Sequence, residues 1–258
     1  MKVTLLSYTH NPDNLVATAA KLCYSSCHTA ELVEKNENID NSSFIEMIMK
    51  RGHESPLEHI SFTFGIDGVS RSLLTQITRH RIASYSVQSQ RYVKSKTSDY
   101  VIPPEILKDE TAKAEFLDAM EASKKAYDKL TEILKNKHKQ SLESEGEIEA
   151  DKKAEKMAIE DARYVLPNAW CTNLICTFNA RSLLNFFSHR CCNRTQWEIR
   201  SLAWEMLRLV IKVAPGVFRH AGPTCLNKGC PEGKMGCGKA KFVRETFNLM
   251  IKEEVGEI

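Results

Sequence analysis

The chain has 258 residues, with 36 Lys and Arg against 33 Asp and Glu for a formal net charge of +3, and 42% of its residues are hydrophobic. That length buries a substantial core without disulfide or metal staples, and 11 Gly and 8 Pro are too few for a disordered or fibrous chain. No apolar run approaches the roughly 18–20 residues of a membrane span, and Met1 to His10 lacks the basic and apolar regions of a secretory signal, so a cytoplasmic protein with no membrane contact is expected.

Val3 and Leu5 alternate with polar residues as a first strand, and Asn11-Pro12 caps a helix with Leu15, Ala19 and Leu22 on one face. Ser43-x-x-Glu46 reads as a capping box for a short helix that Gly52 ends. Ser55-Pro56-Leu57-Glu58 follows the same logic, and Ile60, Phe62, Phe64 and Ile66 then alternate as a half-buried strand. Val69, Leu73 and Ile77 predict a helix running into Arg79-His80-Arg81, and Phe116, Met120, Tyr127, Leu130 and Leu134 a long amphipathic one. Asn136 to Lys156 is charged and nearly free of large apolar residues, which predicts a solvated hairpin between helices.

Met157, Ala162 and Val165 mark a further helix stopped at Pro167, and Trp170, Thr172, Leu174, Cys176 and Phe178 alternate as a strand. Asn179 is placed to cap the helix carrying Arg181, Asn185 and His189. Thr195-x-x-Glu198 reads as the capping box of the last major helix, with Ile199, Ala203, Met206 and Val210 on its core face. The sum is an α/β chain: one domain over residues 1–215 and a Cys-containing extension over 216–258.

The net charge conceals an uneven layout. Between Asp67 and Asp99 lie Arg71, Arg79, Arg81, Arg91, Lys94 and Lys96 with no acidic residue; between Asp161 and Glu198 lie Arg163, Arg181, Arg190 and Arg194, again with none. Removing those ten charges from +3 leaves −7 for the rest. Arginine suits bidentate contacts with phosphate, carboxylate or a base edge, so these windows point to small anionic ligands. The bland reading is a pair of solvated basic faces.

Three constellations could carry chemistry. In His53-Glu54-Ser55-Pro56-Leu57-Glu58-His59, a Ser-capped helix start offers backbone N–H groups to an anion; the histidines could bind metal, but a turn-to-strand change separates them. In Gln76 to Arg81, Gln76 and Arg79 share a face away from Leu73 and Ile77, and Ser89, Gln90 and Arg91 follow in a loop of phosphate donors. In Asn179 to Arg190, the polar stripe Arg181, Asn185, His189 suits a heterocycle edge, although an Asn among apolar residues could simply satisfy backbone groups.

Together these stretches resemble the flavin-dependent thymidylate synthases. Arg79-His80-Arg81, seven residues, then Ser89 matches that family's Arg-His-Arg-x7-Ser signature. His53 to His59 resembles its His-Glu-(Ser/Thr)-Pro-x-Glu-His turn, and Asn179-Ala-Arg181-Ser-Leu-x-Asn185 its second flavin segment. Arg163-x-Val-Leu-Pro167 and Gln196-Trp197-Glu198-Ile199 fall in the same order, so the likeness covers roughly residues 40–210.

The resemblance implies an α/β (α+β) fold, a mixed or antiparallel sheet flanked by helices, assembled as a homotetramer with FAD between subunits. It implies reductive methylation of dUMP to dTMP, with 5,10-methylenetetrahydrofolate as one-carbon donor and FAD reduced by NADPH as hydride source. By motif, Ser55, Arg79, His80, Arg81, Asn179, Arg181 and Asn185 are expected to hold FAD. Gln76, Arg79, Ser89, Gln90, Arg91 and Arg163 are expected to hold dUMP, and His53 to lie on the folate side. Arg190 is expected to be catalytic, at the uracil ring, where it favours the N3-deprotonated form; a fixed cation there stabilises ring charge and makes C5 more nucleophilic. The site takes no metal. One departure stands out: many members carry a Glu where Ala83-Ser84-Tyr85 is followed here by Ser86-Val87, so the 87–91 loop is expected to meet the nucleotide through backbone groups and Ser89.

Nine Cys in a chain without a secretion signal argue for reduced thiols. Cys23, Cys27, Cys171 and Cys176 sit in apolar patterns and read as core; Cys191 and Cys192 invite a nucleophile but lack its Pro-Cys-His context. In the tail, His220, Cys225, Cys230 and Cys237 are zinc-type ligands or else a flexible, redox-labile thiol segment. The rival from another class is an RNA- or DNA-binding module, which predicts a colourless protein with salt-dependent affinity; the resemblance implies no nucleic acid partner.

Overall fold

The alternation of Phe62, Phe64 and Ile66 puts all three on one face of a strand, where each is at most 1% exposed. That strand lies inside a four-stranded antiparallel sheet, whose strands stand side by side in the order first, second, fourth, third of the chain, in a computed structural model that describes residues 1–37, 39–93, 99–142 and 147–255. Lys94 and Lys96 of the first basic window, and residues 143–146 of the expected hairpin, lie outside the described residues. Along the chain run β1 (Lys2–Tyr8), α1 (Pro12–Leu22), α2 (Thr29–Asn36), α3 (Ser42–Lys50), a 3-10 turn over Ser55–His59, β2 (Ser61–Ser70), α4 (Arg71–Ile77) and β3 (Ser84–Val87). There follow α5 (Pro104–Leu107), α6 (Glu110–Ser141), α7 (Glu147–Ala162), β4 (Cys171–Asn179), α8 (Ala180–Arg190), α9 (Trp197–Val213), α10 (Pro215–Phe218) and α11 (Ala240–Val255). Contacts divide them into a first unit of Met1–Asp67, Gln76–Ser86 and Ile175–Ile258 and a second of Gly68–Thr75 and Val87–Leu174.

In the first unit, β1 pairs antiparallel with β2, Val3 opposite Ile66 and Tyr8 opposite Phe62, with an irregularity between Leu5 and Ser7. The Thr63 and Thr177 hydroxyls, 2.9 Å apart, tie β2 to β4. The core is aromatic: Phe62 meets Phe218 edge-on at 5.3 Å, Phe187 meets Phe218 at 6.0 Å, and Phe178 meets Phe186 at 5.7 Å. Each ring so buried contributes about 2–3 kcal/mol. On α9 the expected Ile199, Ala203, Met206 and Val210 are all fully buried. Beyond residue 215 the chain stays packed: Phe247 of α11 meets Trp204 at 6.3 Å with the rings tilted, and Glu254 meets Lys212 at 2.6 Å.

In the second unit the expected solvated hairpin is two helical arms. Lys135 of α6 reaches Asp151 of α7 at 2.8 Å, and α7 buries Ala150, Ala154, Ala158 and Ala162 at every fourth position. A face made of alanine carries no large apolar signal, so the stretch reads as polar until the spacing of its alanines is counted.

Other local expectations need correction. On α1 the buried residues are Val16, Ala17 and Ala20, whereas Leu15 and Leu22 are 37% and 41% exposed; Asn11 sits at the cap with φ 44° but makes no side-chain cap bond. The helix before Gly52 starts at Ser42, and Asp40 Oδ1, not a capping box, accepts the Ser42 N–H at 2.9 Å. Ser55 opens a five-residue 3-10 turn in which no side chain caps. α9 is capped by Gln196, whose Oε1 accepts from Glu198 N and Ile199 N, while Thr195 donates to the His189 carbonyl at 2.7 Å. Of the four cysteines expected in the core, Cys176 is buried, Cys23 is exposed past the end of α1, and Cys27 and Cys171 are half-buried.

Candidate active site

The first-unit part of the site is built where α4 ends. The His80 N–H closes on the Ile77 carbonyl at 3.0 Å. The Tyr85 hydroxyl lies 2.8 and 2.9 Å from the carbonyls of Ile77 and His80 and donates to one of them. Burial raises the Tyr85 phenol, which keeps it protonated as a donor. The turn is thereby fixed, and it presents the His80 ring edge-on to Phe186 at 4.9 Å.

From the end of α8, Arg190 Nε donates to His80 Nε2 at 3.0 Å. Burial first, then the charges of Arg190 and His189, lower the imidazole from 6.5 to about 4. The ring is therefore neutral at pH 7, accepting on Nε2 and carrying its proton on Nδ1. Arg190 is itself depressed by burial and by the neighbouring Arg79, though a guanidinium remains charged.

Asn179 caps α8 as expected, its Oδ1 accepting the Ser182 N–H at 2.8 Å. Arg181, Asn185 and His189 form the predicted exposed stripe, while Phe186 and Phe187 turn into the core. Arg181 is held by two carboxylates, Glu54 at 3.0 Å and Glu58 at 2.6 Å. A cleft of about 730 Å³ opens here, and Arg79, His80, Arg81, Asn179, Arg181 and Asn185 all line it, together with Glu58, Ile82 and Ser182. Six of the seven residues expected to hold flavin thus share one wall. Ser55 and His53 do not line it; both are exposed at the 3-10 turn.

The residues present fit an anionic dinucleotide carrying a flat ring. Three arginines and a helix N-terminus supply donors to phosphate, two Asn amides read a heterocycle edge, and Ile82, 75% exposed, offers apolar surface to the ring. The cavity lies in the usual size range of cofactor sites.

In the second unit, Arg71 donates to Gln90 Oε1 at 2.7 Å and to Thr172 Oγ1 at 3.3 Å. Burial and the charge of the nearby Arg163 both lower Arg71, a repulsion that an anion would relieve. Ser89 Oγ accepts the Arg91 N–H at 3.1 Å, and the Arg91 guanidinium is paired with Glu160 at 2.8 Å. Arg163 Nε donates to the Glu160 carbonyl at 3.0 Å. Val87 ends β3, and Gln88 continues the pairing through its N–H to Asn173 O at 2.9 Å, so the start of this stretch is sheet and not open loop. Gln76, Arg79 and Arg190 of the expected nucleotide set belong to the first unit; Ser89, Gln90, Arg91 and Arg163 belong to the second.

Several contributors escaped the sequence reading. Arg71 stood in the first basic window without a role. Glu54 and Glu58 stood in the His53–His59 run, but only their meeting with Arg181, more than a hundred residues away, shows what they do. Cys191 is fully buried with its thiol raised well above the ordinary value, which removes it as a nucleophile. His220 faces Glu46 at 3.7 Å, and among the described residues no three His, Cys, Asp or Glu side chains form a metal-holding group as they stand.

Residues 4–216 match the family described as Thymidylate synthase complementing protein. A flavin-dependent thymidylate synthase of Clostridium tetani is 55% identical over 96% of this chain and 97% of its own length. The one from Geobacter sulfurreducens is 48% identical over 97% and 99%, and that of Pyrococcus abyssi 36% identical over 98% and 99%. Among solved structures, a UMP/dUMP methylase PolB from Streptomyces cacaoi, bound with 5-Br dUMP, superposes with a TM-score of 0.64 at 22% identity over 84% of this chain and 92% of that one.

Proposed function

This chain belongs to the flavin-dependent thymidylate synthases, and from that membership we propose how its residues divide the work of converting dUMP to dTMP. The enzyme is a methyltransferase that uses FAD, with NADPH and 5,10-methylenetetrahydrofolate as co-substrates. When bound, the flavin reduced by NADPH supplies the hydride that completes the methyl group.

In our reading the cleft is the flavin seat: Arg79, Arg81 and Arg181 take its anionic groups, Asn179 and Asn185 its polar edges, and His80 one wall. Ser55 and His53, on the 3-10 turn, serve the flavin and folate sides. Gln76, Arg79, Ser89, Gln90, Arg91 and Arg163 hold dUMP, and Arg71 joins them because its charge adjoins Arg163. Arg190 faces the uracil ring, stabilising negative charge at N3 and O2 so that C5 attacks the one-carbon unit without a covalent enzyme adduct. The observation that carries this role is the 3.0 Å bond from Arg190 to a neutral His80, which fixes the guanidinium beside the cleft.

We further propose a cytoplasmic homotetramer with sites shared between subunits. Among the described residues no helix is long and apolar enough to cross a membrane, and the exposed Tyr24 and Tyr164, 83% and 81% accessible, suit burial between copies. The test is a yellow purified protein whose visible band bleaches with NADPH and returns, with dTMP formed, only when dUMP and methylenetetrahydrofolate are both added. A colourless protein, or reoxidation under argon without dUMP, would overturn the assignment.

A further inference from the structure

Arg91, expected at the nucleotide phosphate, sits where the backbone does little to aim it. It follows β3 on a turn whose own bonds are short-range: the Arg91 N–H reaches Ser89 Oγ at 3.1 Å, and the Val93 N–H reaches the Ser89 carbonyl at 3.2 Å. Arginine also has one of the largest rotamer entropies to lose on being fixed. A long side chain on such a turn takes one direction only if a partner elsewhere holds it.

α7 supplies that partner. Its backbone is anchored on either side of Glu160 by the buried Ile159 and Ala162, so the Glu160 carboxylate starts from a rigid base. Its Oε1 accepts from Arg91 Nε at 2.8 Å and its Oε2 from Arg91 Nη2 at 2.9 Å. Two parallel bonds of this kind set the plane of a guanidinium as well as its position. They occupy the Nε–Nη2 edge of the fork and leave the Nη1 N–H groups for an anion. One turn earlier on the helix, Lys156 Nζ lies 5.9 Å from the centre of the Tyr92 ring, and the Arg91 guanidinium lies 5.7 Å from the same point. Both Arg91 and Tyr92 are therefore tied to α7.

Glu160 meets a second arginine through its main chain. Arg163 Nε donates to the Glu160 carbonyl at 3.0 Å, at the C-terminal end of α7, where basic side chains bond carbonyls that a helix leaves unpaired. Substituting the Glu160 side chain thus removes the partner of Arg91 and leaves that of Arg163. The Arg91 and Glu160 side chains are 47% and 41% exposed, so a phosphate can reach the guanidinium, and the pair contributes little to the stability of the fold.

We propose that Glu160 is the positioning residue of the nucleotide phosphate site: its carboxylate holds Arg91 in the orientation that receives the phosphate, while its main chain holds Arg163. The proposal rests on the reading of Arg91 and Arg163 as dUMP ligands. Glu160 itself touches no substrate and acts through the arginine it holds. A carboxylate that competed with the phosphate for Arg91 would act in the opposite direction, and dUMP would bind more tightly without it.

The test measures dUMP on the full-length, FAD-loaded enzyme. Glu160→Ala should raise both the KM and the Kd for dUMP about 5-fold or more, with kcat lowered far less. Glu160→Gln, whose Oε1 still accepts one N–H, should lie between it and wild type. Tm should move by no more than about 2 °C in either variant. Arg91→Ala should also weaken dUMP binding, and adding Glu160→Ala to it should change nothing further, as expected when one residue acts through the other. A dUMP affinity that is unmoved or higher in Glu160→Ala would make the carboxylate a bystander or a competitor, and a further loss in the double variant would place its action away from Arg91; either result overturns the proposal. Should Glu160→Ala misfold, Glu160→Gln decides by the same comparisons. Turnover of the wild type that does not depend on dUMP would instead overturn the dUMP assignment, and the proposal with it.

Discussion

Arg190 Nε donates to His80 Nε2 across 3.0 Å, joining the last residue of α8 to the turn that ends α4. The acceptor exists only while the imidazole is neutral, so the cation's position depends on the burial that keeps His80 unprotonated. Substituting Arg190→Ala should reduce dTMP formation by about 100-fold or more while the protein stays yellow. Turnover near wild type would show that the uracil charge is stabilised by another group.

The same histidine sets a pH limit. Its folded pKa of about 4 lies below the ordinary 6.5, so the unfolded chain takes up a proton that the folded chain refuses. Its contribution to stability is complete above about pH 6.5 and is lost as pH falls toward 4. Because solvent reaches part of the ring, that loss amounts to about 1–2 kcal/mol. Thermal melts between pH 7.5 and 4.5 should fall more steeply for wild type than for His80→Gln; parallel curves would assign acid sensitivity elsewhere.

Arg181 separates binding from stability. Its pairs with Glu54 and Glu58 involve side chains about half exposed, and such pairs contribute little. Arg181→Ala should shift Tm by no more than about 2 °C yet weaken FAD binding about 10-fold or more, read by flavin fluorescence on titration. A large drop in Tm with unchanged FAD affinity would make the cluster structural.

Arg163 carries the opposite trade. Its charge presses on the half-buried Arg71, a repulsion that an anionic ligand relieves. Arg163→Gln should leave Tm unchanged or slightly higher while raising the KM for dUMP about 10-fold or more. A rise in kcat alone, with KM unmoved, would contradict the phosphate role.

Gly216 tests the packing of α10 against α1 and α3. A Cβ there would stand 2.8 Å from Asp13 Oδ2 and 3.2 Å from Ile45 Cδ1, and Asp13 Oδ2 already accepts the Gly216 N–H at 2.8 Å. Gly216→Ala should cost about 1–3 kcal/mol, visible in urea denaturation as a lower midpoint at constant slope. An unchanged midpoint would mean that α10 shifts freely.

What was legible in the sequence follows from periodicity. The alternations of Phe62 to Ile66 and of Leu174 to Phe178 announce their strands because period two admits no other buried face, and the Arg181, Asn185, His189 stripe follows from one turn per step. Helix starts were harder, since Ser43 and Thr195 satisfy a capping pattern that Asp40 and Gln196 fulfil in space. The site's polarity lay furthest from view. That Glu58 meets Arg181, and that Arg71 feels the charge of Arg163, are facts of chain return, which no local spacing encodes.

The alanine face of α7 bears on how this chain can vary. A helix that packs through Ala150, Ala154, Ala158 and Ala162, with Ile159 beside them, offers its neighbour a mostly small-residue surface, repeated every turn. Lengthening or trimming both arms by whole turns would preserve that seam, and the added loop closure grows only slowly with length. The hairpin is therefore a place where descendants of this sequence can gain or lose residues by the half-dozen at its far end, away from Glu160 and its pair with Arg91.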